Sequence, residues 1–275
     1  MNDGSHIIVL NKFPIIPNHF ILATKRNKPQ THLLEPEDLA VSYACLEAWR
    51  EQAHDDEDDR LFAFFNSGEH SGASQPHRHL QFLPVRDMRI NSSKWEDPNS
   101  FDWNPIVTSM LSNYQEADGI PYTSNARLPF QHFAVRLEAE TPSSLHEKYV
   151  GLVKLAWSSS KASIKAHSEE QEHRLLSNDG EVELSYNLAM MEDVMALCPR
   201  KSETAQIPGL NESHTASVNG TILGGTFMVK EKEDWEALQD APHALDTILE
   251  SIGYPTLTPD QPAISPNVLP SSTHL

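Results

Sequence analysis

A chain of 275 residues with a formal net charge of −18 is long enough for one large domain or two small ones, each able to bury a substantial core. The acidic balance argues against nucleic acid or an anionic membrane surface as the main partner, and requires any phosphate site to be locally basic. Two cysteines, Cys45 and Cys198, give no disulfide framework and read as buried thiols of a reducing compartment, while the lack of a secretory leader or of a run of about 18 apolar residues predicts a soluble intracellular protein, cytoplasmic or also nuclear.

Residues 6–10 form a β-branched run that predicts a strand, and residues 19–24 predict its antiparallel partner across a proline-punctuated turn. Lys25, Arg26 and Lys28 read as a solvated loop. Pro36 opens a helix, with Glu37 and Asp38 at the positive end of its dipole. Leu39, Tyr43, Leu46 and Trp49 then recur at helical spacing to about Gln52. The acidic run 55–59 lacks the glycine and terminal Glu of a calcium loop and reads as a solvated turn. Residues 61–65, Leu-Phe-Ala-Phe-Phe, predict a buried strand.

From Asn66 to Gln81 the chain reads NSGEHSGASQPHRHLQ, a small and polar loop that runs into a second strand ending at Val85. Alternation along a strand would set His77, His79 and Gln81 on one face. Two imidazoles and an amide would then stand in a row, next to a loop whose backbone N–H groups suit an anion. That arrangement fits chemistry on a phosphate. The His-x-His pair alone also fits a metal site, or coincidence among 14 histidines.

Residues 86–104 read as irregular and polar, anchored by Trp95 and Trp103, and 106–114 as a short helix. A strand is expected over 129–137 and an amphipathic helix over 142–157, led by Leu145, Tyr149, Leu152, Val153 and Ala156. Residues 158–180, rich in Ser, Lys, Glu and His, read as a flexible insertion that extends the helix before fraying. Residues 183–190 and 194–200 predict two strands joined at Glu192 and Asp193. A polar loop, 201–213, is followed at 216–230 by small residues and a closing strand, where Gly224 and Gly225 permit close backbone approach. Helices are expected over 233–239 and 242–252, ahead of a Pro/Ser-rich tail expected to be disordered.

The run Ser74-Gln75-Pro76-His77-Arg78-His79-Leu80-Gln81 resembles the signature of the fungal-type diadenosine tetraphosphate phosphorylases, or ATP adenylyltransferases. These belong to the histidine-triad superfamily, on the branch that includes galactose-1-phosphate uridylyltransferase, where Gln replaces the third histidine. Leu10-Asn11-Lys12-Phe13, Ser185-Tyr186-Asn187, Pro199-Arg200, Val218-Asn219 and Val229-Lys230 recur in register there, so the resemblance runs from His6 to about Pro255. It implies an α+β fold: a histidine-triad-like antiparallel sheet flanked by helices, with long surface loops. A single domain would span 1–255, with the catalytic motif at 66–85, a nucleotide-pocket part at 181–255 and a disordered tail at 256–275.

The resemblance also implies phosphorolysis of diadenosine tetraphosphate to ADP and ATP through a covalent adenylyl-histidine. His79 is the expected nucleophile, because an imidazole with a pKa of about 6.5 keeps a large neutral fraction at neutral pH. Its second ring nitrogen then needs an acceptor such as a backbone carbonyl. Gln81 donates an amide hydrogen but no proton, which suits a polyphosphate leaving group. His77 supports the nucleophile, orients it, or is structural. Ser74, Gln75 and the N–H groups of Gly72 and Ala73 are candidates for holding the phosphate chain, with Asn66 orienting that region. Asn11, Lys12, Asn219, Gly220, Thr221, Thr226 and Lys230 are expected at the nucleotide, Thr226 standing where the family carries Met.

A divalent cation, Mg²⁺, would arrive with the substrate, and no protein-bound metal site is expected. The expected partners are a dinucleoside polyphosphate, ATP or ADP, and phosphate, met by a monomer. Family members carry a further segment before the first strand, with a lysine that meets the nucleotide phosphates. Met1 lies only a few residues ahead of His6, so that lysine is expected to have no counterpart, and a sheet edge to stand open. Two alternatives follow: nucleotide binding without turnover, and a metalloprotein using His77 and His79.

Overall fold

The computed structural model describes residues 4–52, 59–89, 103–117, 119–165, 175–241 and 243–256. In chain order the elements are β1 (His6–Leu10), β2 (Phe20–Thr24), α1 (Pro36–Gln52), β3 (Leu61–Ser67), β4 (His79–Pro84), α2 (Val85–Arg89), α3 (Ile106–Ser109), β5 (Asn113–Ala117), β6 (Ile120–Ser124), β7 (Phe133–Arg136), α4 (Pro142–Lys165), β8 (Ser185–Met191), β9 (Val194–Arg200), β10 (Thr204–Gln206), β11 (Thr215–Ser217), α5 (Lys232–Asp240) and α6 (Ala244–Ile252). Nine of the strands form one sheet in the order β1-β2-β4-β3-β8-β9-β7-β6-β5, antiparallel at every pairing. The pair β10 and β11 stands apart as a two-stranded ribbon.

Side-chain alternation sorts the apolar residues onto two faces. Ala63 and Phe65 of β3, Leu80 and Phe82 of β4, Leu188 of β8 and Leu197 of β9 pack with Leu39, Tyr43 and Leu46 of α1 and with Tyr149, Leu152 and Val153 of α4. Helical spacing of apolar residues on α1 and α4 fits them to that face. The Tyr149 and Tyr186 hydroxyls meet at 2.6 Å and Tyr149 also accepts the Leu34 N–H, so the buried phenols are satisfied. On the opposite face Phe62, Phe64, Ala189, Ala196 and Cys198 lie under Ile222, Leu223, Ile248 and Ile252. That second face also carries His79 and Gln81. A core therefore lies on each side of the sheet.

The two outer strands differ in character. β5 is polar along its exposed length, whereas β1 exposes Ile7, Ile8, Val9 and Leu10 at 43, 60, 42 and 75 %.

Several expectations change. The helix expected over 106–114 stops at Ser109, and residues 113–117 form β5, paired with β6 across a turn at Gly119. The strand expected over 129–137 narrows to β7. The helix over 142–157 does run on into the following stretch, as expected, and α4 ends at Lys165. Ser159 and Ser160 are buried within it, their hydroxyls donating to the Ala156 and Trp157 carbonyls at 3.0 and 2.9 Å; their small size is what the packing uses. The polar loop over 201–213 contains β10, held by β11. Within 216–230 the described residues hold only the end of β11 as strand; a 3₁₀ turn, Gly220–Gly224, follows it in place of a closing strand. Residues 85–89, read within or beside an irregular stretch, form α2. Cys198 is buried but Cys45 is only half-buried. Most of the acidic run 55–59, Trp95 and the tail beyond Thr256 lie outside the described residues. Among the described residues no helix is long and apolar enough to cross a membrane.

Candidate active site

β4 begins at His79, and the register pairs Ala23 of β2 with His79, and Ile21 of β2 and Phe64 of β3 with Gln81. His79 and Gln81, two residues apart on one strand, share the second face of the sheet. His79 is 8 % exposed. Its Nδ1 lies 2.8 Å from the His77 carbonyl oxygen. Since a carbonyl only accepts, Nδ1 carries the proton and Nε2 presents its lone pair. Burial is the main cause that holds the His79 pKa below the ordinary histidine value, against the bond to the His77 carbonyl, so the ring is neutral at neutral pH.

His77 does not share that face. It precedes the strand, and its ring turns to the Thr24 hydroxyl at 3.0 Å and the Arg26 carbonyl at 3.3 Å. The backbone at His77 is held instead by a bridge to Pro29, which breaks the alternation the sequence suggests. Between the two histidines, Arg78 points into the protein and donates to Asp38 at 2.8 Å and Glu35 at 3.2 Å. Its charge is taken up by Asp38 of α1 and by Glu35 just ahead of it, and is not directed at the second face.

The loop ahead of β4 is pinned from both sides. Glu69–Ser71 forms a 3₁₀ turn closed by Gly72 at φ +76°, and a Cβ on Gly72 would stand 2.7 Å from the Asn219 Cβ. Only glycine lets the motif loop approach residues 218–219 so closely in that conformation. Ala73 is half-buried, and Ser74 and Gln75 are exposed at the loop's crest. Asn66, at the end of β3, is 2 % exposed. Its Oδ1 accepts the Asn187 amide and the Gly220 N–H, both at 2.9 Å. Asn187 also donates to the Ser71 carbonyl at 2.8 Å. Arg200 donates to the side-chain Oδ1 of Asn187 and, at 2.9 Å each, to the Ser202 and Val218 backbone carbonyls. Burial lowers the Arg200 pKa to about 10, so the guanidinium remains charged at neutral pH. One buried network thus ties the motif loop to the second loop at 218–225.

That second loop is built by Asn219, which caps the turn Gly220–Gly224 by accepting the Thr221 N–H at 3.0 Å and hydroxyl at 2.8 Å. Thr226 is bound to Thr221 through its backbone at 3.1 Å. Lys12 and Lys230 are exposed, Lys12 lying over the Phe13 ring. Asn11, expected at the nucleotide, is engaged within the protein: its amide lies 2.9 Å from His19 Nδ1 and its Oδ1 accepts the Phe13 N–H at 3.1 Å. The sequence pattern makes His19 only the start of a strand, yet it stands beside Gln81 and His79. Burial lowers its pKa, with Gln81 pulling the other way. His19, Asn187, Arg200 and Gln30 are participants that no sequence motif assigns; the runs Ser185-Tyr186-Asn187 and Pro199-Arg200 mark only the register of the resemblance. Among the described residues no group of three or more His, Cys, Asp or Glu could hold a metal ion.

A nine-stranded antiparallel sheet packed by helices, with His79 and Gln81 on strand β4 beside a glycine loop, defines a histidine-triad-like fold. Residues 2–94 match the model of the Ap4A phosphorylase N-terminal domain, and residues 126–255 that of the ATP adenylyltransferase C-terminal domain. The chain belongs to the Ap4A phosphorylase family. Diadenosine 5',5'''-P1,P4-tetraphosphate phosphorylase 2 of Saccharomyces cerevisiae is 27 % identical over 268 residues, 94 % of this chain and 73 % of that protein. Protein APA1 of the same yeast is 24 % identical over 95 % of this chain and 73 % of its own. The crystal structure of yeast Ap4A phosphorylase Apa2 superposes with a TM-score of 0.71 at 25 % identity, covering 94 % of this chain and 77 % of that one. Apa2 has also been solved in complex with Ap4A, where the TM-score is 0.70.

Proposed function

We propose that this chain cleaves diadenosine tetraphosphate by phosphorolysis to ADP and ATP, with His79 as the nucleophile. The observation that carries the reading is the His79 ring: protonated on Nδ1 toward a carbonyl, neutral, and with a free lone pair on Nε2 beside Gln81. Membership of the Ap4A phosphorylase family and likeness to the yeast enzyme support it.

In the first step Nε2 bonds to one α-phosphorus and the bond from that phosphorus to its bridging oxygen breaks. ATP departs and the adenylyl group stays on His79. The Nδ1 proton stays on the ring, and the positive charge formed there is stabilised by the His77 carbonyl. In the second step an oxygen of inorganic phosphate attacks the same phosphorus and the P–N bond breaks, which returns the imidazole and releases ADP. Triphosphate is a good leaving group, so Gln81 need only donate a hydrogen bond to a non-bridging oxygen. Positioning and charge stabilisation do the rest.

In this reading Ser74, Gln75 and the N–H groups of Gly72 and Ala73 hold the phosphates, and Lys12 and Lys230 offset their charge. Asn219, Gly220, Thr221 and Thr226 border the nucleoside. Mg²⁺ comes with the polyphosphate. Such a protein works as a monomer in a reducing, intracellular setting, consistent with its two free cysteines. The test is phosphate-dependent formation of ADP and ATP from diadenosine tetraphosphate with Mg²⁺, alongside His79→Ala. Products from the intact chain that vanish in the variant are expected. A folded chain that binds nucleotide but releases no product would overturn turnover and leave a nucleotide-binding protein.

A further inference from the structure

We propose that Gln30 is a positioning residue that fixes His79 by standing in for a missing piece of the sheet; this rests on the reading of His79 as the nucleophile. The ladder between β3 and β4 runs from Leu61↔Pro84 to Phe64↔Gln81 and stops there. Continued, it would pair Asn66 with His79. The side chain of Gln30, 2 % exposed, fills that place. Its Nε2 donates to the Asn66 carbonyl at 2.8 Å and to the His79 carbonyl at 3.2 Å, and its Oε1 accepts the His79 N–H at 2.8 Å.

In an antiparallel strand a residue's N–H and C=O point to the same side. Both groups of His79 point to Gln30, so β2, whose Ala23 faces His79 across the other side, does not hold them. One amide therefore satisfies the backbone of the nucleophile and the carbonyl of Asn66. Through the Asn66 side chain, the same contact links His79 to Gly220 of the second loop. Gln30 is itself anchored, its N–H donating to the Pro76 carbonyl at 2.8 Å. An amide suits this place because it offers a donor and an acceptor in one plane, in the pattern of a peptide group. Splitting β3 from β4 here opens the sheet at the position of His79, and Gln30 keeps that opening from becoming slack. A displacement of about 1 Å at a reacting atom costs on the order of 10²-fold in rate.

The experiment uses two variants of the full chain. Gln30→Leu keeps the volume and removes all three bonds. Gln30→Glu keeps the acceptor for the His79 N–H and sets a carboxylate against two carbonyl oxygens. Hydrogen exchange of the segment 77–82 is compared with that of α4, and kcat and KM for diadenosine tetraphosphate are measured with both. The expected result is exchange faster at 77–82 with α4 unchanged, and kcat lowered at least tenfold with KM within threefold. Wild-type exchange at 77–82 or a kcat within twofold in either folded variant would overturn the proposal; so would a loss of activity that only tracks a general fall in stability. Should the unaltered chain release no ADP and ATP, the proposed function fails, and local exchange in the variants alone decides whether Gln30 fixes His79.

Discussion

A carbonyl two residues back along the chain decides which nitrogen of His79 is reactive. Because the His77 contribution is its backbone oxygen, while its ring is turned to Thr24 and Arg26, the two histidines of the motif have unequal roles. His77→Ala is expected to keep activity within about tenfold of the unaltered chain, against complete loss in His79→Ala, because the carbonyl survives the substitution. Equal losses in the two folded variants would show that the His77 ring itself acts. The same geometry governs the acid limb of the rate. Burial lowers the His79 pKa from its ordinary value, so the free base persists below pH ~6.5, and the acid limb of kcat/KM falls below that value. A limb above it would mean that the nucleophile is not this neutral, buried ring. His79 and Gln81 were legible in the sequence because strand alternation is a strict rule. The His77 ring was not, because β4 starts two residues later than the pattern suggests, and a bridge to Pro29 reorients it.

The loops that frame His79 are held by β3, β8 and β9, through Asn66, Asn187 and Arg200. These three are buried at 2, 0 and 4 % exposure, so their bonds have no water to replace them. Removing the Asn187 side chain would leave Nη1 of the buried Arg200 and the Ser71 carbonyl without the partner that Asn187 supplies. Asn187→Ala is expected to destabilise the fold by about 2–4 kcal/mol, read as a fall in the urea midpoint. A change under about 0.5 kcal/mol, the size of an ordinary surface substitution, would deny the network its structural role.

At the sheet's edge, β1 offers an unpaired backbone with exposed Ile7, Ile8, Val9 and Leu10, the pattern that promotes edge-to-edge association. Ile8→Lys is expected to lower light scattering on concentration with stability changed by less than about 0.5 kcal/mol. Unchanged scattering would show that this edge is not the associating surface. Elements announced by a continuous apolar run, such as β3, or by apolar residues recurring at helical spacing, such as α1 and most of α4, were legible from sequence alone. The hairpin of β5 and β6 was not: an edge strand reading Asn-Tyr-Gln-Glu-Ala has no apolar face to announce it, and its pairing depends on partners distant in sequence. Gln30, Asn187 and Arg200 escaped for a related reason. A polar residue's worth here comes from a buried partner 13 to 121 positions away, which no local pattern encodes.

Across the whole molecule, acid is expected to weaken the fold well before its carboxylates titrate. His19, His79 and His132 all have pKa values lowered from 6.5, with burial as the largest cause. His132 shows why in atoms: Nδ1 donates to the Phe130 carbonyl at 2.9 Å while Nε2 accepts the Asn125 N–H at 2.8 Å. A second proton on that ring would face a donor. The unfolded chain has no such restriction and takes up protons first as pH falls through about 6.5. The stability held above that value is therefore lost progressively toward the lower folded pKa values, by about 1.4 kcal/mol for each unit of lowering. His214 opposes this, since its bond to Asp234 raises its pKa, so its charged form keeps a partner as the pH falls. Three lowered rings against one raised ring give a lower urea midpoint at pH 5.5 than at 7.5, at 0.15 M salt where long-range repulsion in this acidic chain is largely screened. In His132→Gln, which removes one of the three, the slope should be shallower. A midpoint that holds or rises at pH 5.5, or a slope the variant leaves untouched, would show that these rings do not set the acid limit.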